Sequence, residues 1–391
     1  MTEIVSNTYY ADIKGYYTIG NRKTYLKSEL IDWHNSKPDS WSWNFNDDYF
    51  TQFDWTKEPQ QDLSELYKQR AIELREQYDY LVLYYSGGHD STNVLYSFLD
   101  NNIRIDEVVV YYSRHDKESL QYKEQSTLTW SKVKNLKQQY PDLNIRIIDY
   151  ADLFNNWFDI VNRYGFKDDA LKSLGSVFSL NHMIVGELYE EIPEWKRLIN
   201  KGKKFAWVVG ADKPMLRFNE KQWIFNFHDI FIRTNMSPLR QFAEDGTRGI
   251  YEFFYWSPTP AGQKLLRKQC HLIKNKYNSQ ALTDFSRING AKKYQPGYGW
   301  TIDTMNKDFL ETIYPRIYKY GETFYTEKTQ SSVYGGRDQW FYNSNTDVAK
   351  KHLDICKSLN GNSYNHFKDW YNDKENVSSG FTNAISCDYI I

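Results

Sequence analysis

Four short runs, Leu81-Val82-Leu83-Tyr84-Tyr85, Val108-Val109-Val110-Tyr111-Tyr112, Ile145-Arg146-Ile147-Ile148 and Phe205-Ala206-Trp207-Val208-Val209, are largely apolar along their whole length. They alternate with helix-compatible stretches at about 91–100, 117–139 and 151–200. A strand that is apolar on both faces needs cover on both, which crossover helices on a parallel sheet supply. The expected core is therefore α/β, a doubly wound parallel sheet.

A chain of 391 residues has room for more than this core. Residues 1–60 are rich in Trp, Tyr, Asn and Asp with weak periodicity, and read as an irregular aromatic leader that packs through Trp33, Trp41, Trp43 and Trp55. The α/β core is expected over 61–277, opening with a helix from Asp62 to Gln77 in which Leu63, Leu66, Ala71 and Leu74 keep helical spacing and Asp62 caps the start. Later in it, Trp223–Phe227 and Tyr251–Trp256 read as strands of a hairpin-like extension, and Thr259–Tyr277 as a helix entered through Pro258 and Pro260. Residues 278–391 are polar, Asn- and Tyr-rich and without strong strand signals, so a mostly helical C-terminal region is expected.

Composition removes several function classes. An aromatic share of 17% is far above that of a disordered chain. A net charge of -1 gives no global field to draw in nucleic acid or an anionic membrane, although a local basic groove stays open. No apolar run approaches the roughly 18–20 residues of a membrane span, and the start lacks a signal-peptide pattern. The three cysteines, Cys270, Cys356 and Cys387, are too widely spaced for a CxxC pair or a zinc knuckle. Reduced thiols in a cytoplasmic protein are the expectation. The eight histidines form no HExxH pair.

Chemistry concentrates after the first apolar run. Ser86-Gly87-Gly88-His89-Asp90-Ser91-Thr92 leads into the helical Asn93-Val94-Leu95-Tyr96-Ser97-Phe98-Leu99. Glycines let backbone N–H groups approach a phosphate, and a helix N-terminus adds positive partial charge. Ser86, Ser91 and Thr92 add hydroxyls, while Asp90 suits a phosphate site only with a cation between them, for which Mg²⁺ is the natural choice. A second segment, Val208-Val209-Gly210-Ala211-Asp212-Lys213-Pro214, ends the last core run, where ligand sites of open parallel sheets collect. It also reads as an ordinary turn.

The string SGGHDS resembles the SGGxDS signature of the PP-loop ATP pyrophosphatases, the adenine nucleotide alpha hydrolase-like superfamily, and is closest to the synthetase domain of asparagine synthetase. The resemblance implies a HUP-type sheet over residues 78 to about 260, an ATP site formed by Ser86, Gly87, Gly88, His89, Asp90, Ser91, Thr92, Tyr111 and Gly210, and Mg²⁺ on Asp90 and Asp212. Lys213 stands where asparagine synthetases carry Glu, and is expected with Asp90 in the catalytic role, against a phosphate oxygen or the charge of the transition state. Arg114 and His115 belong either to this site or to a solvated loop, His182 to an acceptor pocket or to packing. Arg217, Lys221, Arg233 and Arg240 are phosphate ligands or surface charges.

The implied reaction is ATP-dependent adenylation, with release of AMP and pyrophosphate, of a carboxylate or amide oxygen that ammonia or an amine then attacks. Position 2 is Thr, so no N-terminal Cys serves as a glutaminase, and a separate ammonia-donating subunit would have to. The acceptor is a small molecule or a nucleobase. The alternatives are a sulfurtransferase or a phosphoadenylylsulfate-reductase-like enzyme, for which Cys387 is the one supporting residue, and a nucleotide-binding interaction module without turnover.

Overall fold

The computed structural model describes residues 15–24, 33, 41–112, 128–149, 192–210, 213–219, 221–227, 250–278, 291–295, 299–302, 307–322, 324 and 385–391. The leader is more regular than its sequence suggests. Strands β1 (Tyr16–Ile19), β2 (Arg22–Thr24) and β3 (Trp41–Asn44) form an antiparallel sheet in the order β2-β1-β3, followed by a short helix α1 (Asp47–Phe50). Alternation of buried Tyr17 and Ile19 with half-buried neighbours is the period of two that a one-sided strand requires.

The core begins with helix α2 (Leu63–Gln77), which buries Leu63, Leu66, Ala71 and Leu74. The Asp62 carboxylate accepts the Glu65 amide at 2.8 Å and satisfies one of the open N–H groups of the first turn. Asp62→Ala is expected to lower stability by about 1 kcal/mol, read from urea unfolding. Then come β4 (Tyr80–Tyr84), α3 (His89–Leu99), β5 (Glu107–Tyr112), α4 (Trp130–Gln139), β6 (Ile145–Asp149), α5 (Pro193–Asn200) and β7 (Phe205–Val209). All five β7 residues are buried, as expected for a strand covered on both faces.

Strands β8 (Leu216–Phe218), β9 (Trp223–Phe225) and β10 (Ile250–Phe253) follow, and correct the expected hairpin-like extension. β10 joins the parallel sheet beside β7, with Ile250 opposite Ala206 and Phe253 opposite Val209. β9 pairs instead with β8 in a second, antiparallel sheet. Two apolar runs that look alike in sequence are thus divided between two sheets.

The long helix α6 (Pro260–Asn278) leads to β11 (Ala291–Gln295), β12 (Gly299–Ile302), α7 (Lys307–Ile313), α8 (Pro315–Lys319) and β13 (Tyr389–Ile390). The second sheet has the order β11-β12-β8-β9-β13, so the described part of 278–391 is not mostly helical but contributes three strands beside its two helices. The leader packs on this sheet. Trp55 stacks on Phe225 at 5.5 Å, and Phe45 and Phe50 lie 4.7 and 4.6 Å from Phe227. Trp43 and Trp55 are buried as expected, whereas Trp33 and Trp41 are only partly covered.

The parallel sheet has the order β6-β5-β4-β7-β10. From β4 the chain steps outward through β5 and β6, then returns to the other side of β4 for β7 and β10. In a sheet of this order, right-handed crossovers running in opposite directions would put helices on opposite faces. The reversal leaves a crevice at the carboxyl ends of β4 and β7, the place where open α/β sheets bind ligands. Among the described residues no helix is long and apolar enough to cross a membrane.

Candidate nucleotide site at the β4/β7 crevice

The loop after β4 and the segment after β7 are the two motifs singled out in the sequence, and the strand order brings them together. Gly87 adopts φ +78°, a conformation that costs an L side chain energy, and a Cβ there would lie 2.7 Å from the Thr129 hydroxyl. The Ser86 and Ser91 hydroxyls are 3.1 Å apart; the Ser86 N–H donates to Ser91 Oγ and the Gly88 N–H to Ser86 Oγ, each at 3.2 Å. No side chain caps α3, whose N-terminus opens at this loop.

Gly210 is required by the approach of the two segments. A Cβ on it would lie 3.0 Å from both Cα and N of Ser91 and 3.1 Å from the Asp90 carbonyl carbon, all backbone atoms that cannot swing aside. Gly210→Ala is expected to cost roughly 1–3 kcal/mol of stability by overpacking. A urea titration checks it, and an unchanged midpoint would show that the crevice is looser than described.

Asp90 is the electrostatic centre. Lys213 Nζ donates to its Oδ1 at 3.2 Å and Oδ2 at 3.1 Å, and the Tyr314 hydroxyl donates to Oδ1 at 2.5 Å. The Lys213 side chain is 8% exposed and that of Asp90 25%. The Tyr255 hydroxyl donates to the Asp90 carbonyl at 2.9 Å and accepts from Asn93 Nδ2 at 3.2 Å. Burial, and then the negative charge of Asp90, hold the Tyr314 hydroxyl well above the usual tyrosine range, so it stays a donor at any working pH.

A second lysine holds the loop from the other side. Lys132 Nζ donates to the Gly87 carbonyl at 2.9 Å, and the Thr129 hydroxyl donates to the Ser86 carbonyl at 3.1 Å. The Lys132 ammonium also lies 3.7 Å above the Phe324 ring and 3.9 Å from Glu322. Lys132 and Tyr314 were not visible as site residues in the sequence. Lys132 sits in an unremarked helical stretch, and Tyr314 is 224 residues from its partner.

Other expected positions are placed differently. Thr92 is fully buried and its hydroxyl donates to Tyr85 OH at 3.4 Å, so it faces the core rather than a phosphate. The His89 ring stacks on Phe324 at 3.7 Å, and its Nε2 lies 3.2 Å from the Tyr318 hydroxyl. Tyr111 lies opposite Ile148 in the β5–β6 ladder. Arg217 is no phosphate ligand: it serves the second sheet, donating to Asp388 at 2.6 Å and Asn226 at 3.0 Å. Lys221 is exposed on the turn between β8 and β9. Asp212, Arg114, His115, His182, Arg233, Arg240 and Cys356 lie outside the described residues.

The donor set does not fit a divalent ion on Asp90. Both carboxylate oxygens already accept hydrogen bonds, one of them two. An ion about 4 Å from the Lys213 ammonium would be repelled by roughly 8 kcal/mol at an effective dielectric near ~20, twice the unit-charge value. Among the described residues no three His, Cys, Asp or Glu side chains are gathered in a way that could hold a metal. Of the described cysteines, Cys387 has its thiol pushed up to about 11 and the buried Cys270 has its thiol held well above the usual range, so neither is held as a thiolate near neutral pH.

Fold and site together define an α/β protein with a five-stranded parallel sheet and a glycine loop, an aspartate and a lysine at its switch point. No protein-family model matches the chain, and no curated protein matches it by sequence. Among solved structures 13 chains match. One is the U34-tRNA thiolase NcsA from Methanococcus maripaludis with its 4Fe–4S cluster, at 8% identity and a TM-score of 0.28 over 78% of this chain and 80% of that one. So low a TM-score does not define a common fold, and the architecture rests on the hydrogen-bonded ladders described above.

Proposed function

We propose that this protein binds ATP at the β4/β7 crevice and transfers its adenylyl group to an acceptor oxygen, with release of pyrophosphate. The observation that carries the reading is the meeting of Ser86-Gly87-Gly88-His89-Asp90-Ser91 with Gly210 and Lys213 at the switch point of the sheet. The N-terminus of α3 and the Ser86 and Ser91 hydroxyls are placed to hold the β- and γ-phosphates. A carboxylate or amide oxygen of the acceptor attacks the α-phosphorus, the bond to the bridging oxygen breaks, and the electron pair leaves with pyrophosphate.

Charge then grows on the leaving group. Preorganised donors aimed at that charge stabilise the transition state more than the bound substrate, and Lys213, held in place by Asp90, is a cation beside the loop on the β7 side. Ammonia or an amine displacing AMP from the adenylate completes an asparagine-synthetase-like ligase reaction. Whether the acceptor is a free metabolite or a nucleobase is a property of the pocket facing the α-phosphate, not of the loop.

The test is to incubate the full chain with ATP labelled at the α-phosphate, with amino acids and nucleosides as acceptors, and to separate AMP from ADP. Labelled AMP with equimolar pyrophosphate is the expected product. Labelled ADP would replace this reading with γ-phosphoryl transfer. ATP binding without turnover under every acceptor would favour the nucleotide-binding interaction module.

A further inference from the structure

Asp90 is the residue that would be expected to carry a metal ion in a phosphate site of this kind, yet here it is paired with an ammonium. We infer that Lys213 takes the place of that metal ion, so that the protein grips the polyphosphate through a built-in Asp90–Lys213 pair and binds ATP without needing a divalent cation. The inference rests on the nucleotide reading above and specifies how that site handles charge.

Three observations support it. First, the pair is built rather than incidental: the lysine side chain is 8% exposed, contacts both carboxylate oxygens, and comes from the segment that the close Gly210–Ser91 approach fixes against α3. Second, the Tyr314 hydroxyl also occupies Oδ1, at 2.5 Å, and burial keeps it protonated, so three of the carboxylate's about four acceptor sites are already committed to donors. Third, a second ammonium, that of Lys132, stands at the Gly87 carbonyl with Glu322 3.9 Å away, so a lysine is fixed on either side of the loop. A lysine offers a phosphate a compact point charge rather than a single directional bond.

The experiment is calorimetric titration of ATP into the full chain, once with Mg²⁺ and once with excess EDTA. The affinities are expected to agree within about threefold, since Lys213 and Tyr314 already occupy the Asp90 carboxylate. In EDTA, Lys213→Met should weaken binding by about ten- to a hundredfold, the loss of one charged hydrogen-bonding partner, while Lys213→Arg keeps most of it. Lys213→Glu should bind ATP only when Mg²⁺ is present. Binding by the natural chain that requires Mg²⁺ would overturn the inference and leave the nucleotide reading standing. Absence of binding under both conditions would overturn both. Because the comparison with and without EDTA uses the natural chain, a variant that fails to fold does not remove the test.

Discussion

Asp90→Ala is expected to reduce AMP formation by about a hundredfold or more, the scale of losing a preorganised charge in an active site. The carboxylate fixes the Lys213 ammonium from both oxygens and receives the Tyr314 hydroxyl, so its removal releases two groups at once. The direction of the effect on substrate binding is less intuitive. Without Asp90 the Lys213 ammonium keeps its charge but loses its fixed position, so the apparent affinity for ATP should change little while kcat falls. A group that acts by positioning another shows this split, whereas a group that binds substrate uniformly would raise KM at constant kcat.

Stability sets a limit on that experiment. Removing Asp90 leaves a nearly buried ammonium beside Tyr314, and breaking a buried pair costs about 3–5 kcal/mol. The carboxylate side of this pair is a quarter exposed, which admits water, so roughly 1–3 kcal/mol is the expected loss. Thermal melting of Asp90→Ala beside Asp90→Asn separates the two effects, because the amide still accepts the Tyr314 hydroxyl but carries no charge. If both variants keep full AMP formation, Lys213 does not need its anchor and the site has been misassigned.

The core could be read in the sequence because burial on both faces leaves a signature that no surface strand has. Leu81, Val82, Leu83, Val108, Val109 and Phe205–Val208 are all buried in the parallel sheet. The loop was legible for a related reason: glycines, hydroxyls and an aspartate between a strand and a helix meet one chemical need. Position within the sheet was not legible. Trp223–Phe225 and Ile250–Phe253 are both rich in aromatic and β-branched residues, and only the pairing of Ile250 with Ala206 and of Phe225 with Leu216 sends them to different sheets. The second sheet was missed because its strands are two to five residues long and draw on segments as far apart as Leu216 and Ile390.

The same limit applied to the site. Local sequence supplied Asp90, Ser91, Gly210 and Lys213, but neither Tyr314, which also occupies Asp90, nor Lys132, which holds the loop. Tyr314 follows α7, and reaches Asp90 because Phe309, Leu310 and Ile313 are buried in the core and Tyr314 itself is fully enclosed. Lys132 reaches Gly87 from α4, whose Val133 and Leu136 are buried. Packing contacts of this kind follow from the assembled fold, and no spacing rule in the chain anticipates them.

Arg70→Ala is expected to cost about 3–5 kcal/mol, a large fraction of the roughly 5–15 kcal/mol that holds a typical domain together. Arg70 on α2 is fully buried, where its guanidinium donates to Glu73 at 2.7 Å, Glu252 at 3.0 Å and the carbonyls of Phe253 and Phe254 at 3.2 and 3.1 Å. It therefore fixes the carboxyl end of β10 against α2, and Tyr255, whose hydroxyl holds the first turn of α3, is the next residue along. Truncation removes five donors and leaves two carboxylates beside a cavity, and Arg70→Met should recover only the part of the loss that comes from the cavity. Pairing Arg70→Met with Glu252→Gln should then recover more, because the penalty lies in the stranded charge and the amide oxygen introduced by Glu252→Gln can still accept the Tyr78 hydroxyl, although the Glu73 carboxylate keeps the recovery incomplete. Urea unfolding of the three variants measures each step. If Arg70→Met alone matched the natural chain, the guanidinium would be filling space, and the placement of Tyr255 over Asp90 would owe nothing to it.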